Sequence, residues 1–357
     1  MQSDRQESQF LREAFLTRAQ KDVLKEWKKP DGQHDKSVFG NLFNPFYEFL
    51  AGFIPNNISP NVISLVGLLT AVLAWEWSCR ETLDYLDLQV IATFLFICLL
   101  CDKLVHIHAR VIWNQNPLTE LITQWSVVIS VPFISITICN IFGLNDPTML
   151  QLVVLVFNII TMARHLRAFS DPKAVVRIGH FTRTGPSERY LLLCLAVSTR
   201  ELWIKELPAA DAERLPVLLF SAVLGLGALC AIDILLTAFR YYRSHKDYAT
   251  LFGIIACFVI QIIKYVRQGP HATDYSVFTA LQNGFVFSTL CGDLILAKMA
   301  HRKLHPLVPV LQLICFAYEQ ASVPLALLYY AVNVTDVASH LKLPILNPIV
   351  NILVTGY

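Results

Sequence analysis

Apolar runs of about 18–20 residues recur along the chain, each long enough to carry a helix through the ~30 Å hydrocarbon core of a bilayer. They centre near residues 69, 93, 129, 156, 196, 226, 256, 287, 312 and 328, with short polar segments between them. None alternates polar and apolar positions as a barrel strand would. Backbone polar groups cannot go unpaired in lipid, so the pattern predicts an all-α integral membrane fold with about ten transmembrane helices.

Ahead of the first run, residues 3–30 mix charges with Phe10, Leu11, Phe15, Leu24 and Trp27 at roughly helical spacing. This predicts an amphipathic helix, either lying on a membrane surface or packed against the bundle. Lys29-Pro-Asp-Gly32 is a turn signal. Asn44 to Pro55 reads as a short interfacial helix whose aromatic residues suit the headgroup layer. Ser59 as N-cap and Pro60 in the first turn then open the first span. The expected organisation is a polar arm over 1–43, a transmembrane domain over 44–345 and a tail over 346–357. No cleavable signal is read ahead of the first span, which is itself expected to direct insertion.

Composition agrees with lipid as the solvent. Of 357 residues, 55% are hydrophobic and 16% charged, against about 25% charged in soluble domains. A net charge of +2 gives no nucleic-acid signature. Of the nine cysteines only Cys98 and Cys101 stand at C-x2-C spacing, inside an apolar run, so they are expected to be small apolar core residues rather than disulfides or zinc ligands. With ten spans, the loops after even-numbered spans carry 13 Lys and Arg, and the opposite loops six. The positive-inside rule then predicts cytosolic termini and a cytosolic loop after the second span.

That loop holds the most informative stretch. Asp102-Lys-Leu-Val105-His106-Ile-His108-Ala109-Arg110 is followed, eight residues on, by Thr119, then Thr123 and Val127. The frame resembles the CDP-alcohol phosphotransferase motif D-x2-D-G-x2-A-R-x8-G-x3-D-x3-D, spacing for spacing. Asp102, Ala109 and Arg110 match. The other three family aspartates fall on Val105, Thr123 and Val127, and the two glycines on His106 and Thr119.

Further segments are similar to the eukaryotic choline/ethanolamine phosphotransferase branch, in order along residues 44–345. Asn44-Pro-Phe-Tyr-Glu-Phe-Leu50 with Ser59-Pro-Asn61-Val-Ile-Ser-Leu-Val-Gly67 resembles that branch's entry helix and first span. Asn116-Pro-Leu-Thr-Glu120-Leu resembles its S-P-L-G-E-L. Gly179-His-Phe-Thr-Arg-Thr-Gly-Pro-Ser-Glu188 resembles its G-Y-F-N-G-P-T-E loop, and Val337-Ala-Ser-His340-Leu its I-A-S-H-L.

The resemblance implies ten spans, dimers, an endoplasmic reticulum or Golgi membrane, and transfer of a phospho-alcohol from a CDP carrier to a lipid hydroxyl. It also implies two Mg²⁺ or Mn²⁺ ions held by the four motif aspartates at the facing ends of spans two and three. Such ions hold the attacking and leaving oxygens of an in-line displacement, and hard dications require carboxylate oxygens. Here Asp102 alone remains; Val105 and Val127 offer no oxygen and Thr123 only a neutral hydroxyl. The family's base, a His one residue after its third Asp, falls on Gln124, which cannot accept a proton near neutral pH. No intact catalytic set and no metal cofactor are therefore expected.

Some binding chemistry survives this loss. Asp102 and His106 are i, i+4 on one helical face and could ligate a single ion with Glu120 approaching from span three. Arg110 is suited to phosphate, and Asn61 and Glu188 match substrate-side positions of the family. Asp233, Asp293 and Glu319 fall inside spans, where an acid facing lipid would be expensive. Three functions compete: a catalytically impaired family member acting through membrane lipid, or as a homodimer or heterodimer with an active paralogue; a divergent transferase; and a lipid or solute transporter. The last lacks the paired interrupted helices of transporter repeats.

Overall fold

The computed structural model describes residues 15–27, 38–144, 146–170, 186–202, 209–245, 247–268 and 277–346, and all regular structure among them is helical. In chain order the α-helices are α1 Arg18–Glu26, α2 Val38–Ala51, α3 Pro60–Ser78, α4 Tyr85–Val111, α5 Pro117–Ile141 and α6 Pro147–Ser170. They continue with α7 Pro186–Ser198, α8 Ala209–His245, α9 Tyr248–Gln268, α10 Val277–Met299, α11 Leu307–Ala317 and α12 Ser322–Leu341. A helix thus stands on each of the ten apolar runs.

Seven of them are long and apolar enough to cross a membrane: α3, α4, α5, α6, α8, α10 and α12, the last counted with the turn before it. At 1.5 Å per residue, the 13 residues of α7 reach only about 20 Å and the 11 of α11 about 16 Å. The described apolar part of α9, Thr250–Ile263, is also short.

Local chemistry sets the helix starts. Ser59 accepts from the Asn61 N–H at 3.3 Å with Pro60 at the first helical position. Asp84 and Asp87 form a reciprocal capping box on α4. The Asn116 carboxamide accepts from the Thr119 N–H at 2.8 Å to open α5.

The hub is α10, buried continuously from Thr279 to Ala297 and packed against α5, α6 and α12. A Cβ on Gly284 would lie 2.6 Å from Pro132 Cγ, so glycine is what lets α10 and α5 approach there. By contrast α8 turns Leu218, Leu229 and Phe239 outward, each more than half exposed. A helix this apolar on its outer face is stable in lipid, not in water. All nine cysteines are free thiols and seven are buried.

The arm packs on the bundle over residues 15–27. Leu16 and Leu24 are fully buried, Lys21 Nζ meets Asp336 of α12 at 2.6 Å, and His340 Nε2 lies 3.1 Å from Asp22. Residues 3–14 and the Lys29–Gly32 turn lie outside the described residues. In α2, Phe46 and Phe49 are exposed.

Candidate functional site

The motif frame spans the last turns of α4 and the first of α5, joined by a five-residue connection, 112–116. That connection is tied tightly. Asn114 N–H donates to Ala109 O at 2.9 Å, and Asn116 Nδ2 donates to Asn114 Oδ1 at 2.7 Å. Trp113 turns the chain in the left-handed region (φ 53°) with its indole 91% exposed.

The positions that the resemblance assigns to carboxylates serve packing. Val105 is fully buried with Ile63 and Cys101, flanked by Ile54, Ile58, Ile97 and Leu104. Thr123, 2% exposed, donates its hydroxyl proton to Thr119 O at 2.8 Å and sits 2.9 Å from Ser64 Oγ. The hydroxyl pair ties α3 to α5. Val127 is half-buried on α5. Beside them a Cβ on Gly67 would stand 2.9 Å from Cys101 Cβ, so α3 and α4 touch backbone to side-chain root just before Asp102.

The polar members gather on the other side. His106 Nδ1 lies 4.0 Å from Glu120 Oε2, and Gln124 Nε2 donates to Glu120 Oε1 at 2.9 Å. Glu120 thus bridges the positions that the resemblance assigns to a glycine and to the base. Lys298 of α10 is within electrostatic reach of Glu120. His106, Ala109, Gln115, Asn116, Thr119 and Glu120 line a small solvent-open cleft, with Trp27 of the arm completing it. Asp102 is half-buried and Arg110 exposed. Among the described residues no group of three His, Cys, Asp or Glu could hold a metal ion. The donor set does not fit two hard dications, because hydrocarbon and one engaged hydroxyl stand where carboxylates would be needed.

Other candidates are placed as follows. Asn61 is buried and its Nδ2 donates to Ile345 O at 2.6 Å, so the chain's C-terminal segment holds it. Glu188 falls in the first turn of α7; its side chain and residues 171–185 lie outside the described residues. Asp293 is fully buried, paired with Arg302, and accepts from the His305 N–H at 2.8 Å and Tyr329 Oη at 2.9 Å. That network is structural. Asp233 pairs with Arg167 at the α6–α8 contact with about a quarter of each side chain exposed. Glu319 is half-buried in the turn between α11 and α12.

Sequence reasoning missed three contributors. Ser64 and Trp27 carried no signal that tied them to the motif. His108 is fully buried with Nε2 2.9 Å from Ile58 O, which anchors the segment ahead of α3. No family profile matches the chain, and no curated protein matches it.

Proposed function

We propose that the chain is a CDP-alcohol phosphotransferase-like membrane protein of the choline/ethanolamine branch that has lost two-metal transfer. It acts in phospholipid metabolism by binding lipid or pairing with a second copy or an active paralogue. In this reading all ten helices α3–α12 cross or enter an endoplasmic reticulum or Golgi membrane, with both termini and the motif cleft cytosolic. The observation that supports it best is the use made of the degenerate positions. Val105 is sealed in apolar packing and Thr123 is committed to an interhelical hydroxyl pair. A position merely missing its aspartate would leave a polar recess; here the recess is filled.

The test is transfer itself. Microsomes lacking their own transferases, supplied with this protein, diacylglycerol, Mg²⁺ or Mn²⁺ and labelled CDP-ethanolamine or CDP-choline, should yield no labelled phospholipid above background. Metal-dependent product would overturn the reading.

One observation favours a second reading, a divergent transferase. His106 and Glu120 approach each other beside an open cleft, with Asp102 one turn away on α4. A single borderline ion there would support different chemistry. Against it, one Glu120 oxygen already accepts from Gln124.

A further inference from the structure

A second polar recess lies in the half of the bundle remote from the motif. Gln151 and Asn158 from the first half of α6, Gln261 from α9 and Asn283 from α10 bring four carboxamides to one small cavity of about 20 Å³. The motif is at the N-terminal end of α5, and α6 begins where α5 ends, so this cavity is distinct from the cleft at Glu120. Leu155 and Phe287 supply apolar wall.

The cavity has acceptors to spare. Asn158, 1% exposed, is oriented by its Nδ2, which donates to Val154 O at 2.8 Å. Its Oδ1 therefore points away from that bond, and it meets no donor among the described residues. Asn283, 8% exposed, likewise has an Oδ1 without a donor. Buried acceptors inside a low-dielectric bundle are costly unless a donor reaches them. No charged side chain lines the cavity, so neither an anionic headgroup nor a dication has a counter-charge there. At that size it admits one hydroxyl-sized polar group rather than a whole lipid, and α9 beside it turns Val259, Ile262 and Ile263 outward.

We propose that this cavity binds the hydroxyl of a neutral membrane lipid, which donates to Asn158 Oδ1 or Asn283 Oδ1 while the lipid's apolar body lies along the helices. The site is independent of the motif and of the function proposed above. A sterol and a diacylglycerol offer the same chemistry, so the experiment separates them.

Full-length protein purified in detergent is melted with cholesterol or dioctanoylglycerol, each against its O-acetylated counterpart. At about a hundred times Kd, a one-site ligand should raise Tm by about 3–4 °C for a chain of this length. The rise should appear with a free hydroxyl and vanish on acetylation; the lipid that gives it identifies the source. The double variant Asn158→Leu, Asn283→Leu should melt no lower than the parent without lipid, because it removes two unpaired acceptors, and should lose the lipid response. Asn283→Ser, a milder change, should weaken lipid binding about tenfold and serves if the double variant does not fold. No response to either lipid, an equal response to the acetylated forms, or a response retained in both variants would overturn the proposal.

Discussion

Substituting Val105 by Asp tests whether the positions that the resemblance assigns to metal ligands serve packing. Val105 is fully buried in the apolar cluster with Ile63 and Cys101. Losing its buried methyls removes about 1.5–3 kcal/mol of transfer free energy. A neutral carboxyl without a hydrogen-bond partner adds about 1–3 kcal/mol. Together these give about 2.5–6 kcal/mol of destabilisation with the acid protonated. Ionisation adds to it. Burial raises the folded-state pKa above the unfolded value of about 3.9, so the folded state binds more protons. Stability then falls as pH rises from about 4 toward the folded pKa, by about 1.4 kcal/mol per unit. Val105→Asn, of the same shape and without titration, should show the deficit without the added slope. The assay is equilibrium unfolding of both variants and the parent between pH 4 and 8. A Val105→Asp protein within about 1 kcal/mol of the parent, with no added pH dependence, would mean that the position opens to water as a metal site must.

Three further outcomes follow from other contacts. Gly67→Ala should cost about 1–3 kcal/mol in unfolding, since its Cβ would stand 2.9 Å from Cys101 Cβ, and Cys101→Gly in the same chain should recover most of it. Arg302→Leu should cost about 3–5 kcal/mol by stranding buried Asp293, and Tyr329→Phe about 1.5–3 kcal/mol by removing one bond to the same carboxylate; thermal unfolding of the two variants checks both magnitudes. The Asp22 carboxyl is held below its ordinary 3.8 chiefly by the hydrogen bond from His340, so its contribution to arm docking is present above that pH and lost as pH falls below it. Proteolysis within residues 15–27 should accelerate on acidification with a lower midpoint in the parent than in a His340→Ala variant.

Much of the fold was legible because its signals are local. Ser59-Pro60 and Asn116-Pro117 start helices through caps contained within four residues, and each apolar run carries a helix. Helix length was less legible. Near 312 the apolar pattern continues, yet α11 stops where Tyr318 leaves the helical region (φ −130°, ψ 83°) and a 3₁₀ turn follows. At the site, the spacing from Asp102 to Val127 identified which positions to examine but not their partners. Ser64 reaches Thr123 from another helix, and His108 reaches Ile58 across a loop. Asp293, placed inside a span by the apolar pattern, is enclosed by Arg302 and Tyr329. These pairings depend on tertiary approach, which spacing along one chain does not encode.

The most direct test of the central claim, that the motif frame persists without its metal chemistry, is Mn²⁺ binding by the unaltered protein. Purified protein is titrated into Mn²⁺ with and without CDP-ethanolamine while the spin-resonance signal of the free ion is followed. The expected result is a signal undiminished in both arms, because one carboxylate at Asp102 and a shared one at Glu120 cannot hold hard dications. A stoichiometric loss of signal, abolished by Glu120→Gln, would contradict the account.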